Sequence, residues 1–187
     1  MTNILAAVTV ARLFNVPSRI IKKTLFEFNG LQGRLELILE LKGVKYFNDT
    51  TATIPEATIE AINSLSAHMA SNSNRLILIA GGADKNLYFG KLADLIVEKI
   101  KYVFLLSGTA TPKLEEEIKK RFLSTNAKLG RLHLRKFNSI EKAVAAAAKI
   151  AKDGDMVLLS PSCASFGMFR HEFERGEKFI EAVNKLQ

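Results

Sequence analysis

The chain is 187 residues long, 48% hydrophobic and 25% charged, with a formal net charge of +8. That length holds one ordinary domain, or one domain and a fragment, with ample material for a core, and no apolar run approaches the roughly 20 residues that cross a bilayer. The N-terminus has no charged region leading into an apolar core and a cleavage site, so a cytoplasmic location is expected, while the single cysteine, Cys163, excludes an internal disulfide framework and a cysteine metal cluster.

In chain order, Ile4, Leu5, Val8, Ala11 and Leu13 recur with helical spacing, Asn15-Val16-Pro17 interrupts them, and Ile21, Thr24, Leu25 and Phe28 resume the pattern. A helical hairpin is predicted, closed by Asn29-Gly30, and its 29 residues are too few for a core of their own. A boundary therefore falls near Gly30. Beyond it, Leu35, Leu37, Leu39 and Leu41 alternate with Glu36, Ile38 and Glu40, and Lys42-Gly43 turns the chain into Val44 to Phe47, the pattern of a β-hairpin. The second strand stops at Asn48-Asp49. Thr53 and Glu56 then stand in capping-box spacing around Pro55, which predicts a helix opening at Thr53.

Strands and helices alternate from there. Leu76 to Ala80 reads as a buried strand ending in Gly81-Gly82, Leu92 to Ile100 as a helix, and Tyr102 to Leu106 as a strand ending in Ser107-Gly108. A helix starts at Thr111 or Pro112, Leu132 to Leu134 is a short strand, Ile140 to Ala151 a helix and Met156 to Leu159 a strand ending in Ser160-Pro161. The last helix is predicted from about Met168 to Leu186, with Phe169, Phe173, Gly176, Ile180 and Val183 on one face. The expected fold is α/β and Rossmann-like: a mostly parallel sheet with an antiparallel N-terminal hairpin, preceded by the helical hairpin.

In such a sheet the loops after the parallel strands share one rim, which brings together Asn48 to Thr53, Gly81 to Asn86, Ser107 to Thr111 and Ser160 to Gly167. These are the segments richest in glycine and small polar residues. The chemistry they could carry is bounded by what is missing. No G-x-x-x-x-G-K-[ST] or G-x-G-x-x-G phosphate loop occurs, and the isolated His68, His133 and His171 give neither metal-ligand spacing nor an evident base for Ser162 or Cys163. The positive charge suits phosphates, nucleic acid or anionic lipid, but the lysines are scattered. Three i,i+4 pairs, Glu115/Lys119, Glu116/Lys120 and Glu117/Arg121, read as a solvated helix face, so neither nucleic-acid binding nor membrane insertion is expected.

Three ordered motifs are more specific than any one of them alone: Asn48-Asp49-Thr50-Thr51-Ala52-Thr53-Ile54-Pro55-Glu56-Ala57, Gly81-Gly82 with Lys85, and Leu159-Ser160-Pro161-Ser162-Cys163-Ala164-Ser165-Phe166 with Phe173-Glu174-Arg175-Gly176. Together they resemble the C-terminal part of the Mur ligase family, on the branch that adds glutamate. The resemblance implies that residues 1–29 are the helical end of a missing central ATPase domain and residues 30–187 the complete glutamate-binding domain. It further implies an ATP- and Mg2+-dependent amide-forming reaction, through an acyl phosphate, that joins glutamate, expected as D-glutamate, to UDP-N-acetylmuramoyl-L-alanine in peptidoglycan precursor synthesis. The missing N-terminal and central domains would be its partners. By motif position, Thr53, Lys85, Ser165, Phe166 and Phe173 would hold glutamate, and Arg34, Asp49 and Thr51 would face ATP. No catalytic or metal-binding residue is expected in this stretch, which should be inactive by itself.

Two departures from the family pattern stand out. Thr51 occupies a position where the family commonly has lysine, which leaves open a replacement cation or a glutamate of the other hand, and Glu172-Phe173 is locally out of step. Two other readings stay open. A sister Mur ligase adding a different amino acid would carry a different motif after the second strand, and a basic α/β nucleic-acid module would cluster its lysines on one face.

Overall fold

The computed structural model describes residues 2–67, 75–124 and 132–187, and it divides into two compact units, Met1–Leu31 and Gln32–Gln187. His68 lies outside the described residues.

The first unit is a pair of helices, α1 (Thr2–Leu13) and α2 (Ser18–Glu27), joined through Asn15 at φ +56° and Pro17. Ala7, Val8 and Ala11 face Val16, Ile20, Ile21 and Leu25 across an apolar groove, yet no residue of α2 is buried and Phe26 is 90% exposed. Two short helices by themselves cannot cover each other's apolar side chains.

In the second unit, the hairpin strands β1 (Glu36–Leu41) and β2 (Val44–Asn48) start a six-stranded sheet of order β1-β2-β6-β3-β4-β5. The others are β3 (Leu76–Ala80), β4 (Ile100–Leu106), β5 (His133–Phe137) and β6 (Met156–Leu159), and every pairing except β1 with β2 is parallel. Central β3 is Leu-Ile-Leu-Ile-Ala, buried throughout, as a strand covered on both faces must be. Leu76, Leu78 and Ala80 pack with α3 (Pro55–Ser66), α4 (Gly90–Lys99) and α5 (Thr111–Ser124); Ile77 and Ile79 pack with α6 (Ile140–Ile150) and α7 (Glu172–Asn184). The result is helices on both faces of one sheet.

Among the described residues, both apolar clusters of the sheet are built from the second unit's own side chains. Deleting residues 1–31 is therefore expected to leave the urea midpoint of the remaining chain unchanged while lowering its tendency to self-associate, measured by denaturation and sedimentation.

Three local expectations are corrected. The β1 leucines do not share a face: a bulge between Leu37 and Leu39 inserts one residue, so Leu35 joins one cluster, Leu39 and Leu41 the other, and Leu37 is exposed. Thr53 does not open α3. Pro55 takes the first turn and holds Ile54 extended at φ −137°, making Ile54 the N-cap with no side-chain bond. The last helix starts at Glu172 rather than Met168, capped by His171, whose Nδ1 accepts from the Glu174 N–H at 3.1 Å. Its buried face is Arg175, Gly176, Phe179, Ala182 and Val183, turned away from the predicted Phe173 and Ile180.

Candidate functional site

The parallel strands end at one rim, and their loops are stitched together in the order of the strands. Between the β2 and β6 loops, the Ser160 hydroxyl donates to Asp49 Oδ2 at 2.7 Å and the Ser162 N–H to the Ala52 carbonyl at 2.9 Å. Between β6 and β3, the Gly81 N–H donates to Pro161, and Ala83 and Ala164 exchange backbone bonds of 2.9 and 3.2 Å. Between β3 and β4, the Ala110 N–H donates to the Gly82 carbonyl and the Asp84 N–H to Thr109 Oγ1, both at 2.9 Å. Backbone meets backbone here. A Cβ on Gly82 would stand 2.2 Å from the Ala164 carbonyl oxygen, and one on Gly108 would stand 2.1 Å from the Gly82 oxygen. That proximity requires glycine.

Asp49 sits inside this seam, 6% exposed, with Oδ1 accepting from the Leu35 N–H at 3.2 Å and Oδ2 from Ser160. The Ser160 oxygen is also 2.9 Å from Thr58 Oγ1, which continues the polar chain into α3. Burial raises the Asp49 pKa to about 6, and the Ser160 and Leu35 bonds and the Arg34 charge only partly oppose it. Both carboxylate oxygens are thus engaged by the chain itself. Arg34 beside it is exposed, and its loop is held from two sides: the Thr51 N–H and hydroxyl both donate to the Gly33 carbonyl, and Glu36 Oε2 accepts from the Gly33 N–H at 2.8 Å.

Lys85 Nζ donates to Thr53 Oγ1 at 3.4 Å, so these two residues, both expected from the sequence to hold glutamate, meet across different loops. Lys85 is presented by a turn that Asp84 organises, with Asp84 Oδ1 accepting from the Asn86 N–H at 2.9 Å and Oδ2 paired to Lys113. The Lys113 hydrogen bond, joined by the Asn86 N–H, holds the Asp84 carboxyl below its ordinary pKa. Ser165 directly follows the Ala164–Ala83 bridge; it is 4% exposed, and the described residues give its hydroxyl no hydrogen bond. Phe166 next to it is 62% exposed. Phe173 is not brought to this group. It lines a separate hollow with Gln32, Asn48, Thr50 and Gly176, whose wall includes none of Thr53, Lys85, Ser165 or Phe166.

The sequence singled out no role for Arg175, which is 1% exposed and forms three hydrogen bonds: Nε to Thr50 Oγ1 at 3.2 Å, Nη2 to the Thr50 carbonyl at 2.8 Å and Nη1 to the Cys163 carbonyl at 3.1 Å. Burial lowers its pKa to about 10, which leaves it charged at neutral pH. A signal was present, because Arg175 shares the helical stripe of Phe179, Ala182 and Val183, and a charge on an apolar stripe needs a partner. Cys163 is fully buried, and burial pushes its thiol up to about 11, unsuited to a nucleophile. His133 stacks on Tyr102 with centroids 4.8 Å apart. No group of three His, Cys, Asp or Glu side chains is placed to hold a metal among the described residues.

Comparison with known proteins adds the deciding observation: residues 33–163 match the family model described as Mur ligase, glutamate ligase domain. The chain belongs to the Mur ligase family. It is 46% identical over 184 residues to a protein of Roseiflexus sp. strain RS-1 named UDP-N-acetylmuramoylalanine–D-glutamate ligase, covering 98% of this chain and 37% of the relative. A protein of the same name from Caldicellulosiruptor saccharolyticus is 39% identical over 186 residues, with 100% and 38% coverage. The chain thus spans little more than a third of these relatives. Among solved structures, a murein peptide ligase from Psychrobacter arcticus superposes with TM-score 0.57 at 19% identity, covering 93% of this chain and 35% of that one. A bifunctional folylpolyglutamate synthase/dihydrofolate synthase from Yersinia pestis gives TM-score 0.58 at 15% identity, with 91% and 34% coverage. These two establish the fold. In this Mur ligase domain the matched segment begins at Gly33 and ends at Cys163, so it contains Arg34, Asp49, Thr51, Thr53 and Lys85 and stops just short of Ser165.

Proposed function

We propose that this chain is the glutamate-binding, domain-closing part of a cytoplasmic ATP-dependent ligase that joins glutamate to UDP-N-acetylmuramoyl-L-alanine, with residues 1–29 the helical end of a preceding ATPase domain. The observation that carries it is the contact of Lys85 with Thr53 across two rim loops, in a chain similar over nearly its whole length to proteins named for that reaction. An anionic amino acid is matched by the Lys85 ammonium, the Thr53 hydroxyl and the unengaged Ser165 hydroxyl. Phe166, on the same loop as Ser165, is the exposed aromatic available to cover it and keep water from the reacting carboxylate.

ATP would supply the phosphoryl group that activates the acceptor carboxylate. For its phosphates this chain offers Arg34, a guanidinium whose loop Glu36 and Thr51 fix in place. Asp49 anchors that loop through Leu35 and faces the nucleotide side; Thr51 spends its hydroxyl on Gly33 rather than on a ligand. Because no phosphate loop can be read in these residues, the stretch alone is expected to turn over no ATP.

In the full-length enzyme, Lys85→Ala should raise the glutamate KM roughly 10- to 100-fold, as expected for losing a charge-assisted bond, and leave the ATP KM nearly unchanged. Steady-state kinetics with each substrate varied in turn decides it. Equal rises for ATP and glutamate would remove Lys85 from the amino-acid side.

A further inference from the structure

Arg175 heads the large side chains that are fully buried, and no carboxylate lies within ion-pair distance of it among the described residues. A guanidinium out of water is expensive, and packing alone would be better served by methionine or leucine. What only a planar fork of fixed donors provides is simultaneous hold on groups that must keep a set spacing.

The groups it holds belong to two different loops. Nε and Nη2 take the side chain and carbonyl of Thr50, in the β2 loop, and Nη1 takes the Cys163 carbonyl in the β6 loop. Thr50 Oγ1 also donates to the Glu172 carbonyl at 2.7 Å, tying the same loop to the first residue of α7. Gly176 completes the fit, since a Cβ there would stand 2.7 Å from Thr50 Cγ2. Thr50 is followed by Thr51-Ala52-Thr53, and Cys163 by Ala164-Ser165. The arginine thus joins the loop carrying Thr53 to the loop carrying Ser165.

We infer that Arg175 is a positioning residue of the ligase: it touches no substrate, and its guanidinium fixes the spacing between the β2 and β6 loops on which the amino-acid ligands Thr53 and Ser165 are mounted. This rests on the amino-acid site proposed above. Misplacement of binding groups by even an ångström costs up to about a hundredfold in rate, so a buried clamp outside the site governs it through geometry.

The test uses the full-length enzyme with Arg175→Lys and Arg175→Met, assayed well below their melting temperatures, and follows amide exchange of Ser162, whose N–H bridges the two loops to Ala52. Both variants are expected to raise the glutamate KM roughly tenfold or more and to speed Ser162 exchange, with the KM of the acceptor carboxylate substrate unchanged. Lysine, which keeps the charge but not the fork, should not rescue. If Arg175→Met does not fold, Arg175→Lys decides by itself. Lowered melting temperature with an unchanged glutamate KM in the folded variant overturns the inference and leaves the functional proposal standing. A wild-type enzyme that consumes ATP without any dependence on glutamate overturns the functional proposal, and the inference with it, before a variant is made.

Discussion

Alanine at position 82 is expected to destabilise the chain by about 4 kcal/mol, seen as a lower urea midpoint at unchanged slope, the sum of backbone strain and forced overpacking. Gly82 has φ +149°, and the Cβ added there meets the Ala164 carbonyl oxygen at 2.2 Å and Cys163 Cβ at 3.2 Å. Neither neighbour can step aside cheaply. Ala164 is locked by reciprocal bonds to Ala83, while the carbonyl of Gly82 itself accepts the Ala110 N–H. A control separates crowding from conformation: Gly167 has φ +96° and an added Cβ would meet nothing within 4 Å, so Gly167→Ala should cost only about 1–2 kcal/mol. Equal losses at the two positions would mean that the rim loops do not approach as closely as the seam requires. Losses in the expected ratio would make Gly82 the point where three loops are held at backbone distance, which is what lets Lys85, three residues later, reach Thr53 on another loop.

How much of this is legible in the sequence depends on how local the cause is. Met156-Val157-Leu158-Leu159 reads with its true ends because Asp155 and Ser160 bound a short apolar run, and the same reasoning places β3. The last strand of the sheet reads as Leu132–Leu134 but runs His133–Phe137, because an edge strand needs only partial burial and carries Arg135 and Lys136, charges that also protect a free edge. Two signals compete at α3, where Thr53 and Glu56 have capping-box spacing but Pro55 dictates the start. The shared rim follows from parallel topology. Its stitching does not, because bonds such as Ser162 to Ala52 depend on β6 lying between β2 and β3, an order that no local pattern encodes. Phe173 shows the same limit: helical spacing puts it on the α7 core face, whereas the helix is rotated to bury Arg175 and Phe179 and leaves Phe173 55% exposed over another hollow.

The second large effect concerns pH. Asp49→Asn should flatten the dependence of stability on pH between about pH 4 and pH 7, relative to the unaltered chain, by roughly 3 kcal/mol. The ordinary carboxyl pKa is 3.8, and in the folded chain burial holds that of Asp49 at about 6. Between those values the folded state keeps a proton that the unfolded state has released, so stability is full below the lower value and falls as pH rises to the upper one. Above it both states are ionised and the cost stays constant. Asparagine carries no charge to desolvate, but it has a single acceptor oxygen for the two donors, Leu35 N–H and Ser160 Oγ, that Asp49 satisfies with two. The lost bond costs about 1 kcal/mol at every pH, so the two stability curves should cross, with the variant weaker near pH 4 and stronger near pH 7.5. Urea midpoints at about those two pH values measure it. Parallel curves would place the ionised carboxylate in a better-solvated position than its 6% exposure allows. A crossing would show that the chain keeps a charged group that weakens it at neutral pH, and the nucleotide-side role proposed for Asp49, next to Arg34 and in a loop clamped by Arg175, accounts for that cost.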